Sequence, residues 1–251
     1  MTGPQVGEMV RQWRRKRGVS QQDLAEAAEV STRHLSCVEN GKAQPSREML
    51  LVLGSALDLP LRERNLLLLA GGHGPAYRES NLAAPEMAPV REVLDILLAN
   101  AEPNPAVVAS GSYDLVQMNP SMMALSAWLG VMSTNLIEAT FVQLAPFIVN
   151  WPEVASATIN RLHREVLHTG DPALTAVYER VRPLAPAPTW DVPPIALPVR
   201  LRHQGVEIAL FTALTSLGTA TDVTVSELRI ETYYPMDDAS RAALDALPRP
   251  V

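Results

Sequence analysis

Residues 31–49, "STRHLSCVENGKAQPSREM", gather the side chains of this chain whose types and spacing fit a defined chemistry. A helix beginning at Ser31 puts Leu35 and Val38 on one face and Thr32, Arg33, Ser36 and Cys37 on the other. An outward arginine can donate two parallel hydrogen bonds to O6 and N7 of guanine, and a threonine can meet a thymine methyl or a phosphate. Gln21, at the start of a preceding helix, suits a phosphate oxygen. Asn40, Lys42 and Arg47 surround the loop that leaves the helix and suit further backbone phosphates. Cys37, the lone cysteine, reads as a small packed or groove-edge residue, since a redox sensor needs a resolving partner.

Other chemistries find poor material. GxSxG, P-loop and GxGxxG patterns are absent, and His163 and His168 lie five apart, off a common helix face. One cysteine permits neither a CxxC pair nor an internal disulfide, which fits a reducing cytoplasm. Asp237 and Asp238 read as a helix cap rather than a catalytic pair. The expectation is a protein that is no enzyme and holds no metal or cofactor. Haem is the rival to that view, because Met118, Met122, Met123 or Met132 offers an axial ligand; flexible methionines equally line adaptable apolar surfaces. The longest apolar runs, such as "NLLLLA" at 65–70, fall far short of the roughly 20 residues that span a membrane, and no secretion signal opens the chain.

The elements that must hold these groups are legible. Residues 1–70 divide into five short helices. Val6, Met9, Val10 and Trp13 recur at helical spacing and Gly18 stops the first helix. Ser20 and Ser31 sit at the N-caps of the second and third, with Ala25 small enough for a tight crossing. Gly41 follows Asn40 as a residue past a helix end should, Pro45-Ser46 opens a fourth helix, and a fifth runs over 61–70. Two short helices joined by a brief turn form a helix-turn-helix, whose second helix enters the major groove.

Charge argues against DNA only at first sight. The 251 residues carry a net charge of −6, yet residues 1–70 hold ten basic and eight acidic groups, a net of +2. The other 181 hold eleven and nineteen, a net of −8. Five cations (Arg11, Arg14, Arg15, Lys16, Arg17) fall in the first 17 residues, and local charge governs attraction to phosphate.

Residues 71–89, with three glycines and three prolines, read as a linker. From 90 to 251 the period changes. A helix over 90–100 precedes strands at 106–109 and 115–118. Helical stretches follow at 121–129, 136–144, 152–169 and 172–181, and strands at 196–203, 206–214 and 225–234 end the chain. This order predicts an α+β, PAS-like domain: a five-stranded antiparallel sheet with helices over one face and a pocket between. Met118, Met122, Trp128, Phe141, Phe147, Trp151 and Phe211 are the large apolar candidates for its walls, and Asn150, Arg161 and His163 the candidates to orient a polar head group.

The segment "SQQDLAEAAEVSTRHLSCVENGKAQPS" resembles the XRE family of phage-repressor-like regulators. With "LDLPLRERNLLLLAGG", "NWPE" and "DVTVSELRIETYYP", the chain is similar to the MmyB-like subfamily over nearly its whole length. The resemblance implies DNA contacts at Gln21, Thr32, Arg33, Cys37, Asn40, Lys42 and Arg47, and a C-terminal domain that binds ligands of the fatty-acid type. It departs from the family at Glu29, where the turn usually holds glycine; a non-glycine residue there is predicted to take positive φ at about 1 kcal/mol. The expected whole is a cytoplasmic homodimer on a palindromic operator, switched by a small apolar ligand. The alternative is a DNA-binding regulator whose C-terminal domain only dimerises or binds a protein partner.

Overall fold

A computed structural model describes residues 3–187 and 197–249. These form two compact units: one runs to Ser80 and includes Ala220–Val223, the other holds the remainder.

The first unit contains α1 (Gly3–Lys16), α2 (Gln21–Ala27), α3 (Thr32–Glu39), α4 (Arg47–Ala56) and α5 (Leu61–Ala70). Serine caps start three of them. The hydroxyls of Ser20, Ser31 and Ser46 accept from the backbone N–H groups of Asp23, His34 and Met49, each satisfying a donor the helix itself leaves unpaired. Glu29 takes φ 53° in the turn between α2 and α3, and Gly41 takes φ 67° past α3. Val6, Val10, Leu24, Leu35, Leu50, Leu53 and Leu67 are all buried in one core. Gly7 lets α1 approach the end of α3, because a Cβ there would overlap the carbonyl oxygen of Val38.

Beneath α3 lies a group that periodicity alone does not reveal. Glu39 is 4% exposed, and its carboxylate accepts from Arg14 Nε at 2.7 Å and Nη2 at 2.9 Å. Gln21 Nε2 donates to it at 3.0 Å, and Arg11 lies 3.7 Å away. The paired geometry raises the pKa of Arg14, chiefly through its hydrogen bond to Glu39. The first part of the expected linker is likewise fastened. Buried Asn65 accepts from the N–H groups of Ala76 and Tyr77 and donates to the Tyr77 carbonyl, while the carbonyl of Arg78 accepts from Val223 N–H at 2.8 Å.

The second unit contains α6 (Ala88–Ala101), β1 (Ala106–Ala109), β2 (Leu115–Met118), α7 (Pro120–Leu129), α8 (Leu136–Glu138), a π-helical turn (Ala139–Leu144), α9 (Trp151–Thr169) and α10 (Pro172–Val181). Then come β3 (Val199–His203), β4 (Val206–Thr215), α11 (Val223–Glu227), β5 (Arg229–Pro235) and α12 (Asp238–Asp245). The strands form one antiparallel sheet in the order β2-β1-β5-β4-β3. Side chains alternate across it. Ala106, Val108 and Ile230 pack with Leu94 and Leu98 of α6, while Val107, Leu201, Ile208 and Leu210 face the cluster that holds Met122, Leu125 and Val154. Buried Asn119 ties the layers: its Oδ1 accepts from Ala106 N–H and Met122 N–H, both at 2.9 Å.

Several expectations need correction. The last strand begins at Arg229 instead of 225, because Val223–Glu227 forms a short helix; brief apolar runs suit either state. The helix expected over 136–144 is one short α segment followed by a π turn. α12 was unforeseen as an element, although Asp237 caps it as expected, accepting from Ser240 N–H at 2.7 Å. β3 begins at Val199, and residue 196 lies outside the described residues.

Removing Glu39 strands the half-buried Arg14 charge. Glu39→Ala should cost about 3 kcal/mol, read as lost hydrogen-exchange protection of the α3 amides; unchanged protection would show that the pairing is dispensable.

Candidate functional site

Two surfaces offer chemistry, one in each unit. On the first, Leu35 and Val38 anchor α3 with no exposed surface, which turns Thr32, Arg33 and His34 outward and leaves Ser36 and Cys37 half-buried. Lys42 is exposed in the exit loop, where its backbone N–H closes a turn on Cys37 O at 2.8 Å. Arg47, at the start of α4, is half-buried, and its Nη1 has no hydrogen-bond partner among the described residues.

The remaining expected contacts are partly spent inside the domain. Gln21 gives one amide N–H to Glu39, so one remains for a phosphate. Asn40 donates to Ser36 O at 2.8 Å and accepts from Arg11 Nη2 at 2.6 Å, so it closes the C-terminal end of α3. The N-terminal cations are also engaged. Arg11 and Arg14 hold Glu39, Arg17 donates to the carbonyls of Leu57 and Asp58, and Lys16 stands 4.3 Å over the Trp13 ring. The basic cluster is therefore in large part structural scaffolding, and counting charges along the sequence overstated its reach toward phosphate.

In the second unit a cavity of about 280 Å³ lies between the sheet and the helices. α7 contributes Met122, Leu125, Ser126 and Leu129; α8 and the π turn contribute Leu136, Ile137, Ala139, Thr140 and Leu144; α9 contributes Val154, Thr158 and Arg161. The sheet supplies Val199, Leu201, Leu210, Thr212, Glu231 and Tyr233. Register explains the last set: Val199 opposes Leu210 and Thr212 opposes Tyr233, so alternation turns all four inward.

Of the ten residues expected to bind a ligand, the walls include Met122 and Arg161. Met118 belongs to the same apolar cluster, its sulfur 4.0 Å from the Ser126 hydroxyl. Trp128 and Phe147 pack edge-on against His203 at 5.1 and 4.9 Å. Phe141 and Trp151 meet edge to face at 5.0 Å in the core beside α10. Asn150 fastens the start of α9 to the sheet, donating to Pro198 O and accepting from Arg200 N–H. His163 is exposed, its ring 5.6 Å from that of Tyr178. Phe211 shares the outward face with its partner Tyr234 and is 39% exposed. Aromatic size did not report orientation, which register and helix rotation decide.

The residues that sequence reasoning missed are Glu231 and Tyr233. Glu231, 4% exposed, accepts from the Tyr233 hydroxyl at 2.6 Å and from Arg161 Nη1 at 3.3 Å. Burial, and then the charge and hydrogen bond of Glu231, push the Tyr233 phenol well above its usual range, so it stays protonated and donates. Burial opposes the Arg161 charge, but Glu231 leads the groups that outweigh it and raise the guanidinium pKa. Behind this trio Tyr113 donates to Glu165 and accepts from Arg229 Nη1 at 3.1 Å, and Arg229 pairs with Glu165 at 2.9 Å. Their signal in the sequence was a charged residue at an inward strand position, within the "ELRIETYYP" run.

Among the described residues no cluster of three or more His, Cys, Asp or Glu could hold a metal ion, and no helix is long and apolar enough to cross a membrane.

Known proteins give these surfaces a context. Residues 5–67 match a helix-turn-helix domain family. The transcriptional regulator ClgR of Mycobacterium tuberculosis is 34% identical over 74 residues, which are 30% of this chain and 63% of that protein. The chain thus spans less than two thirds of the length of these curated relatives. Two solved structures are similar over the same region. The restriction-modification controller protein C.AhdI of Aeromonas hydrophila is 31% identical, over 24% of this chain and 92% of its own, with a TM-score of 0.24. ClgR of C. glutamicum is 29% identical, over 29% and 90%, with a TM-score of 0.26. Residues 90–247, well over half of the chain, match the MmyB-like transcription regulator ligand binding domain. The chain belongs to the MmyB-like transcription regulators, with a helix-turn-helix domain ahead of the family's ligand-binding domain.

Proposed function

We propose that this chain is a one-component regulator: α3 reads a DNA operator, and the cavity of the second unit receives a single-chain apolar ligand of the fatty-acid type that alters operator affinity. The observation that carries the reading is the cavity, walled by apolar side chains from three helical segments and the sheet, with one polar end at Arg161, Glu231 and Tyr233. Its volume of about 280 Å³ falls just below the ~300–1,000 Å³ typical of small-ligand sites. Each methylene buried there favours binding by about 0.8 kcal/mol, so chain length supplies affinity without a special contact. The site binds and does no chemistry, and a DNA reader of this kind works in the cytoplasm.

On DNA, Arg33 and Thr32 read bases, while Lys42, Arg47, Gln21 and Asn40 lie toward the backbone, with Ser36 and Cys37 at the groove edge. Arg33→Ala should cost about 1–3 kcal/mol on the operator and relax preference at one base pair. Lys42→Ala should weaken operator and random DNA alike and flatten the salt dependence. Equal losses on both DNAs for Arg33→Ala would remove Arg33 from base readout.

One helix-turn-helix reads too few base pairs for useful specificity. A homodimer placing two α3 helices about 34 Å apart on a palindrome meets that need. The opposed, exposed pair Phe211 and Tyr234 on the outer sheet face suits such a contact. Sedimentation should show a dimer that the double change Phe211→Arg, Tyr234→Arg converts to monomer; a wild-type monomer protecting a single half-site would refute the assembly.

Effector action is tested by operator affinity across single-chain amphiphiles of rising length. A ligand acts only through its differential affinity for two states, typically worth about 1–3 kcal/mol. Thr212→Phe, which fills the cavity from β4, should abolish the response while leaving DNA binding intact. If no amphiphile shifts operator affinity beyond about twofold, or about 0.4 kcal/mol, the dimerisation-only alternative takes its place.

A further inference from the structure

The polar end of the cavity is electrically closed, and this bears on which head group it takes. Glu231 stands on the inward face of β5, opposite Leu214 of β4, with its side chain 6% exposed. One carboxylate oxygen accepts from the Tyr233 hydroxyl and the other from Arg161. The remaining charges nearby are paired as well: Glu165, four residues after Arg161 on α9, is held by Arg229 at 2.9 Å and by the Tyr113 hydroxyl. Two arginines thus face two carboxylates, and the phenols between them are neutral donors.

A fatty-acid carboxylate entering beside Glu231, whose side chain is 6% exposed, would be a third negative charge against two positive ones, with little water at the carboxylate to screen it. A buried charge without a matching partner is strongly disfavoured, and it is either excluded or forced to neutralise. An ammonium head fails for the mirror reason, since Glu231 is already matched. Neutral hydrogen-bonding groups meet no such penalty. A guanidinium carries five N–H donors, of which the bond to Glu231 uses one. Ser126, Thr158 and Thr212 add hydroxyls to the same walls.

The geometry points to an acyl-chain ligand with an uncharged head, a primary amide, ester or alcohol, in preference to the free acid; this rests on the reading of the cavity as an acyl-chain site. Arg161 orients the head through its remaining N–H groups. Glu231 acts as the specificity-determining residue, turning away a second carboxylate.

The test uses the full chain and competition against a fluorescent acyl probe at neutral pH, with decanamide, 1-decanol, decanoic acid and decylamine, which share one chain length. The amide and the alcohol should bind at least tenfold more tightly than the acid and the amine. Glu231→Gln, nearly the same shape, should raise the affinity for decanoic acid relative to decanamide at least tenfold. Acid or amine binding as tightly as the amide overturns the head-group assignment while leaving the acyl-chain reading intact, and so does an unchanged acid-to-amide ratio in Glu231→Gln. Binding of none of the four, with no displacement of the probe, overturns both. The wild-type comparison decides the matter alone if the variant does not fold.

Discussion

A carboxylate removed from water has to find its counter-charge inside the protein, and each unit of this chain is arranged around one that does. In the first it is Glu39, in the second Glu231, both 4% exposed. Breaking such a pair is far more costly than the pair is worth in net stability, because the orphaned charge remains buried. The elements that supply the partners are therefore held in one relative placement. Arg11 and Arg14 of α1 and Gln21 of α2 converge on the last residue of α3. That convergence, with the close approach permitted by Gly7, sets the rotation of α3 that turns Thr32 and Arg33 to the outside.

The same arrangement alters the electrostatic picture. A helix and its exit turn with arginines at 11, 14, 15 and 17 look like a phosphate-seeking surface. Three of the four are engaged within the domain. What remains outward is a small set of specific groups, Arg33 and Lys42 foremost. DNA recognition by such a surface, as proposed, would rest on placed hydrogen bonds more than on a diffuse positive field.

In the second unit the paired charge lies at the end of an apolar cavity. Glu231 links β5 to α9 through Arg161, so the residues that close the cavity also join the sheet to its helical cover. A head group placed as proposed would meet Arg161 in that linkage, and occupancy of the cavity would then bear directly on the helix that covers it.

Much of the local architecture was readable without a structure. The serine caps at 20 and 31, the opening of α4 at Pro45-Ser46, the positive φ of Glu29 and Gly41, the core face of α3, and the antiparallel sheet all rest on short-range rules of capping, backbone sterics and periodicity. Tertiary structure alone decided the rest. Phe211 points outward and Thr212 inward because β4 pairs with β5 in one register and not its neighbour, and a one-residue shift would exchange the two faces. Trp128, Phe141 and Trp151 fill core beside the cavity instead of lining it, since a large apolar side chain is satisfied by any dry surroundings. Burial of Glu39 and Glu231 was not drawn from the sequence, because the arginines that permit it lie 25 and 70 residues away. Local rules act over a few residues and so are written in the order of the chain; charge pairing acts through space, and only the folded chain brings its partners together.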